Sequence, residues 1–499
     1  MTMAATTREH EFKFLVPDDF EMPGLDDLCA RAGDTVVEQT ATYYDTNDLR
    51  LARAGASLRF RDDDGWTVKL PSEPEAGNGP ALVRSEFVFG GRAAAPPTEA
   101  LELVAALVRT ARLAPAARLR TVRRRAELRT GPDVVGTLTD DDCTIVDGRV
   151  GGHFREIEFE LADDAPAETV DDVVARLRDA GAADGEPLPK VVRALGPTAT
   201  MPADVVSYSV STPATVESVI RHAISDSVAK LVANDPVVRI GDDPEGVHQA
   251  RVATRRLRSH LRTFRDLLDP EWTQSLRDEL KWLGDELGAV RDADVLLDRL
   301  EGRVTELEVD DEIAVAPLLQ RLRDEREAAR AVLLGGLRSD RYLQLLDRLV
   351  DAAQRPRVVM LVGTDHEETL RDLVRAPWKH LRNAVDDLPD PAPDPALHQV
   401  RIRAKRARYA AEVVGPAFGK DARKFAKAIT DLQDVLGEHQ DSVVAAAWLR
   451  TNALTLGDPR AVYVAGELGA MERAAAERSR AAWPKVWKQA SAKSLRDWL

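Results

Sequence analysis

One basic helix is written twice in this chain. The segment opening at His248 carries Arg251, Arg255, Arg256, Arg258 and Arg262, and a second opening at His398 carries Arg401, Arg403, Lys405, Arg406 and Arg408, with no acid inside either. At about 100° per residue, His248, Arg251, Arg255, Arg258 and Arg262 share a stripe roughly 80° wide, while Ala250, Ala253, Leu257, Leu261 and Phe264 gather on the opposite side. His398, Arg401, Lys405 and Arg408 repeat four of those stripe positions 150 residues later, and Arg406 matches Arg256. A second pair of segments keeps almost the same offset: Leu283, Asp285, Leu287, Gly288 and Asp292 recur 149 residues on as Leu432, Asp434, Leu436, Gly437 and Asp441. So long a period excludes a solenoid and predicts an all-α bundle built from two copies of one helical unit.

The charge balance sharpens the point. The chain holds 84 Asp and Glu against 69 Lys and Arg, a formal charge of −15. An acidic protein repels polyanions on average, so two acid-free basic stripes create a local field of the opposite sign. A single run of arginines is ordinarily a solvated face. Two runs in one register, each led by a histidine, point to an anion site, with His248 and His398 either in it or capping and bridging the helices.

The first 197 residues have another texture. Alternating runs at 10–16, 56–61, 66–70, 82–89, 136–141 and 154–161 predict antiparallel strands, interrupted by helical patterns around 24–32, 98–112 and 167–181. The expected organisation is a domain at 1–197, a linker at 198–213 and a helical domain at 214–499, its repeats at about 214–350 and 365–499. Cys29 and Cys143 form no C-x-x-C pair, and neither a signal-type apolar segment nor a membrane-length apolar run occurs. The expected setting is the cytoplasm.

Chemistry in this half lies on the strands. Glu9, Glu11 and Lys13 project to one face, as do Glu156, Glu158 and Glu160, and the residues between them are mostly apolar. This inverts the usual pattern: carboxylates face an interior while hydrophobes pack outward. Burying such a cluster costs several kcal/mol per charge unless cations sit among it. Arg59, Arg61, Lys69 and the run Arg123, Arg124, Arg125 supply positive charge, and Mg²⁺ or Mn²⁺ suits clustered carboxylate oxygens. Carboxylates on one wall and cations on another accept a metal-bound polyphosphate.

Glu9-x-Glu11-x-Lys13, Tyr43-Tyr44-Asp45-Thr46, Arg59-x-Arg61, Lys69-Leu70-Pro71 and Glu156-x-Glu158-x-Glu160, in this chain order, resemble the CYTH superfamily of triphosphate tunnel metalloenzymes. The His248 and His398 helices resemble the CHAD, or conserved-histidine α-helical, domain. The resemblance implies an α+β domain with an antiparallel β-barrel tunnel holding a triphosphate with Mg²⁺ or Mn²⁺. By position it implies Glu9, Glu11 and Lys13 as catalytic residues and Glu9, Glu11, Glu156, Glu158 and Glu160 as metal ligands, with either Asp140 or Asp141. It implies Arg59, Arg61, Lys69, Arg123 or Arg125, and Lys190 as substrate contacts, although Pro189-Lys190-Val191 stands where Ser-Lys-Tyr is common in the family. For the helical half it implies polyphosphate binding by the two stripes.

Other classes lack their motifs. The chain has no G-x-x-x-x-G-K-[ST] loop, no dinucleotide-binding G-x-G-x-x-G after a strand, and no H-E-x-x-H. Overall acidity and 5% aromatic residues argue against nucleic acid as the partner. The expectation is a metal-dependent triphosphatase acting on inorganic triphosphate or a related polyphosphate. The alternatives are a non-catalytic polyphosphate-binding protein, or thiamine triphosphatase or adenylyl cyclase activity in the same tunnel; oligomeric state is open.

Overall fold

The computed structural model describes residues 5–71, 82–184, 189–359, 363 and 365–499, with residues 5–9, 82 and 83 described in backbone alone. The chain divides into two compact units, Met1–Asp204 and Val205–Leu499.

The first unit is one antiparallel sheet of β1 (Ala5–Val16), β2 (Ala30–Asp45), β3 (Ser57–Arg61), β4 (Gly65–Pro71), β5 (Leu82–Phe89), β6 (Ala114–Thr130), β7 (Asp133–Asp147), β8 (Gly152–Leu161) and β9 (Ala183–Asp184). Its order is β5-β4-β3-β2-β6-β7-β8-β1-β9, and β5 also pairs with β1, Ala5 opposite Val88 through Glu11 opposite Leu82. The strand order therefore returns on itself and gives the tunnel its wall. Helices α1 (Arg50–Arg53), α2 (Thr98–Val108), α3 (Ala167–Asp179) and α4 (Val191–Leu195) complete the unit.

The inverted pattern read from the strands is what the fold uses. Phe14, Ile157 and Phe159 turn outward and pack with Val170, Val173, Val174 and Leu177 of α3. Fully burying side chains of this size stabilises by about 1.5–3 kcal/mol each, which offsets the cost of the charged interior. Two glycines allow the close approaches that bring charged positions together. Gly65 has φ of 76°, and a Cβ there would stand 2.6 Å from Phe89 O; a Cβ on Gly136 would stand 2.3 Å from Glu160 O.

The helix expected at 24–32 is instead a turn, in which Leu28 and Cys29 donate backbone N–H groups to Leu25 O at 2.8 Å. Leu25 and Cys29 are spaced as on a helix, and both reach the α3 core, but β2 begins at Ala30, whose pairing with Arg129 leaves room for one turn only. The segment expected to be an open linker is ordered at its end: Tyr208 N–H donates to Ser225 Oγ at 3.0 Å, and the Arg221 guanidinium lies 3.6 Å from the Tyr208 ring centre.

The second unit is helical: α5 (Val216–Ile240), α6 (Pro244–Thr263), α7 (Pro270–Val304), α8 (Val309–Leu337), α9 (Asp340–Gln354), α10 (His366–Asp386), α11 (Asp394–Ala453) and α12 (Pro459–Ala490). Asp243 starts α6 by accepting Glu245 N–H at 2.8 Å, with Pro244 in the first turn, where its missing N–H costs nothing. Ala250, Ala253, Leu257, Leu261 and Phe264 are all buried. A charge at Leu257 would break this packing. The first copy separates α6 from α7, whereas the second runs both counterparts together as α11, broken at Gly419 with φ of 62°. Among the described residues no helix is long and apolar enough to cross a membrane.

Candidate functional site

The tunnel interior is a polar cavity whose lining includes Glu11, Lys13, Arg59, Arg61, Lys69, Arg123, Glu158, Glu160 and Lys190. Strand register puts them there: Lys13 faces Glu158 across β1 and β8, Glu11 faces Glu160, and Arg123 faces Asp141 across β6 and β7. At the centre Asp141, Glu156 and Glu158 bring one oxygen each within 4.8 Å of one another. Lys190, just before α4, reaches into this group: its Nζ contacts Asp141 and lies 3.0 Å from Glu158 and 3.3 Å from Glu156. Arg123 donates to Asp141 from Nε at 2.8 Å and Nη2 at 2.6 Å, and to Glu158 at 3.2 Å. Lys13 donates to Glu158.

Burial and mutual charge set the protonation states. Burial opposes ionisation of Glu158, but Lys13, Lys190 and Arg123 override it and hold the carboxyl well below the ordinary range. Burial likewise opposes the Lys190 charge, yet Asp141 and Glu158 hold it well above the ordinary lysine value. Glu156 goes the other way: burial raises it despite Lys190 and Lys13. Its Oε1 is buried and makes no hydrogen bond, with Lys190 Nζ 3.3 Å away. That unsatisfied acceptor, inside a set of three hard carboxylates, fits a divalent cation.

The opposite wall suits anions. Lys69 pairs with Glu86 at 2.8 Å, and Arg61 donates to Asp64 at 2.7 Å, while Nε of Arg59 and Nε of Arg61 are buried without a hydrogen bond, the latter 3.3 Å from Asp63 Oδ1. Burial and the adjacent Arg59 guanidinium lower the Arg61 pKa. An oxyanion would satisfy both N–H groups.

Register separates the alternatives left open by the motifs. Asp141 has no exposed side-chain surface and faces inward, whereas Asp140 faces outward and accepts two 2.8 Å bonds from Arg155. The period-two rule forces this, since adjacent residues cannot share a face. Arg123 lies in the cluster; Arg125 is exposed and donates to Thr137 at 3.4 Å. The Glu9 side chain lies outside the described residues, though its backbone pairs with Arg84. Arg84 and Glu86 on β5 also line the cavity, and Arg84 donates to Glu11. Their R-x-E alternation in LVRSEFVF was the available signal.

In the helical unit the stripes meet different surroundings. Arg251 donates to Asp292 at 2.8 Å, and Arg401 lies 3.9 Å from Asp441, its counterpart in the other copy. The paired glycines mark equivalent crossings: Cβ atoms on Gly288 and Gly437 would each stand 3.6 Å, an ordinary contact, from the guanidinium of Arg251 and Arg401, respectively. Arg255 donates to Tyr409 Oη at 2.6 Å, and His398 Nδ1 lies 2.8 Å from Gln440 Oε1. Arg256 and Arg408 share Glu412, at 3.6 Å and 3.5 Å. Glu412 holds the position matching Arg262, so the second stripe is shorter. Arg258, Arg262, Arg403, Lys405 and Arg406 make no ion pair or side-chain hydrogen bond among the described residues. Burial, then Arg401, Arg255 and Arg251, bring Lys405 down to about 7. Burial and Arg291 lower His248.

A charged β-tunnel followed by a duplicated basic bundle defines a CYTH domain joined to a CHAD domain. The CYTH domain family matches residues 7–190 and the CHAD domain family residues 222–450. The chain belongs to this CYTH–CHAD family: it is 33% identical over 506 residues to the uncharacterized protein Rv2226 of Mycobacterium tuberculosis, covering 95% of this chain and 94% of that one. Among solved structures it is similar to PptA from Streptomyces chartreusis (24% identity, 55% of this chain and 100% of that one, TM-score 0.48). It is also similar to the CHAD domain from the plant Ricinus communis (27% identity, 58% of this chain and 96% of that one, TM-score 0.46).

Proposed function

We propose that the tunnel hydrolyses a phosphoanhydride bond of inorganic triphosphate or a related polyphosphate with Mg²⁺ or Mn²⁺, and that the helical unit binds polyphosphate. The observation that carries this reading is the cluster of Asp141, Glu156 and Glu158, joined through Glu158, Arg123 and Lys190 to the cavity that Arg59, Arg61 and Lys69 line. A divalent ion held by the three carboxylates would neutralise phosphate charge and acidify a water. Arg59 and Arg61 direct N–H groups at phosphate oxygens and stabilise the charge that builds on them. Arg123 braces Asp141, while Lys190 keeps Asp141 and Glu158 ionised and Lys13 adds to this at Glu158. One aromatic ring, Tyr43, among the described lining residues gives little surface for stacking a purine, which favours an inorganic substrate over the cyclase alternative.

Phosphate release from triphosphate, thiamine triphosphate, ATP and long-chain polyphosphate, measured with and without each metal, tests this. Release should require metal and fall about 100-fold or more in Glu158→Gln, the scale of losing one electrostatic contact to a transition state. A second reading, a tunnel that holds triphosphate without turnover, draws support from Lys190, whose ammonium sits among the carboxylates that would hold the metal. Tight binding with no release by the intact chain would establish it instead.

A further inference from the structure

The α7 helix carries a row of four residues of which the duplication repeats only one. Arg277, Gly284, Gly288 and Arg291 fall within an arc of roughly 60° on one face. The two glycines underlie the α6 stripe: a Cβ on Gly284 would stand 3.8 Å from Arg258 Nη1, and one on Gly288 would stand 3.6 Å from Arg251 Nη2. The two glycines thus mark where α6 guanidinium groups lie across α7, with Arg277 toward one end of the row and Arg291 toward the other.

Both end residues belong electrostatically to the stripe. Arg262 is lowered by burial, then by Arg406 and Arg277; Arg406 is lowered by burial, then by Arg403 and Arg277; His248 is lowered by burial and Arg291. Arg291 has no ion pair or hydrogen bond among the described residues, and Nε of Arg277 is buried without an acceptor. Cations crowded this way repel one another, and among the described residues no carboxylate pairs with Arg262, Arg277, Arg291 or Arg406, although Arg277 Nη1 donates to Gln274 Oε1 at 3.1 Å.

The other copy supplies a contrast. At the 149-residue offset, Ala426, Gln433, Gly437 and Gln440 stand where Arg277, Gly284, Gly288 and Arg291 stand. Both arginines are replaced by neutral residues, and Gln440 is engaged with His398. Only the glycine under Arg401 is kept.

We infer that a linear polyphosphate lies along the α6–α7 side of the helical unit, with Arg277 and Arg291 as two further contacts at opposite ends of the track, and that the α11 side takes the smaller share. This rests on the polyphosphate binding proposed above and assigns its course. From Arg277 to Arg291 the track spans about 21 Å at 1.5 Å per residue. A triphosphate cannot reach both ends, so the two arginines act together on long chains only.

The test is equilibrium binding of long-chain polyphosphate and of tripolyphosphate to the full-length protein, with chelator present to prevent turnover, across a salt series. Arg277→Gln and Arg291→Gln should each weaken long-chain binding roughly three- to tenfold and reduce the slope of log affinity against log salt by about 0.7, the value per phosphate for a flexible single strand. Their losses should add for the long chain and not for tripolyphosphate. Arg478→Gln, at an exposed arginine on α12, is the control and should change neither. Gln440→Arg, which rebuilds the missing cation in the second copy, should tighten binding and steepen the slope. The inference is overturned if the α7 variants bind like Arg478→Gln, or if tripolyphosphate loses as much as the long chain. If Arg277→Gln and Arg291→Gln are silent while Arg255→Ala and Lys405→Ala abolish binding, the helical unit still binds polyphosphate but along another course. No binding by the intact chain removes both readings.

Discussion

The two halves handle positive charge in opposite ways. In the tunnel, Lys13, Lys69, Arg123 and Lys190 each touch a carboxylate, whereas on the helical unit Arg258, Arg262, Lys405 and Arg406 touch none among the described residues. The tunnel is a salt-bridged lining that holds its shape whether or not a ligand is present. The stripe is a set of crowded cations that, on the function proposed above, would gain most when an anion arrives. The same residue type would then support stability in one half and affinity in the other, and substitutions should carry opposite signs.

The largest effect belongs to the tunnel. Lys190→Met leaves Asp141 buried with one cation fewer and should lower the stability of the N-terminal unit by about 3 kcal/mol, as measured by calorimetry, because breaking one side of a buried pair strands the other charge. A change within experimental scatter would end the contrast at once.

Lys405 sharpens it through pH. In the ligand-free fold its pKa lies at about 7, below its ordinary 10.5, through burial first and then Arg401, Arg255 and Arg251, with Asp441 opposing. An arriving polyanion restores the charge, so binding takes up a proton and affinity should fall by up to tenfold per pH unit above 7. Lys405→Arg should flatten that dependence. The stability sign is the reverse. Between about 7 and 10.5 the unfolded chain holds more protons, so this residue's contribution to stability rises with pH and is least favourable below 7.

Two smaller effects follow. Removing Arg262 and Arg406 together (to Ala) should weaken polyphosphate roughly fivefold, with stability unchanged or raised by up to about 0.5 kcal/mol, the cost of the like-charge pair that Arg262 makes with Arg258 one turn earlier on α6. A marked loss of stability would mean these cations have structural partners after all. Asp292→Asn, freeing Arg251, should tighten binding roughly twofold, the scale of an exposed ion pair. Titration at low salt detects it, and weaker binding would instead give Asp292 a positioning role.

Legibility varied with how local the determining physics was. The strand period alone put Glu156 and Glu158 on one face, and the same rule, once register is known, separates Asp141 from Asp140. Helical phase alone gave the stripe on α6 and its buried reverse side. Arg84 and Glu86 carried the same alternation but belonged to no quoted motif. Leu25 and Cys29 showed the opposite failure: helix-like spacing met by a turn and a strand, because pairing of Ala30 with Arg129 outweighed local preference. Arg277 and Arg291 were invisible for another reason, since their importance lies in the α6 residues that cross them.

What the sequence determined by itself was periodicity and duplication: which residues share a face, which faces are charged, and that the helical half repeats one unit. Those follow from backbone geometry, which is the same in every chain. What only the tertiary structure decided was company. Whether a cation meets a carboxylate, as Lys190 does, or other cations, as Lys405 does, depends on contacts between segments far apart in sequence, and the strength of a charge is set by what stands beside it.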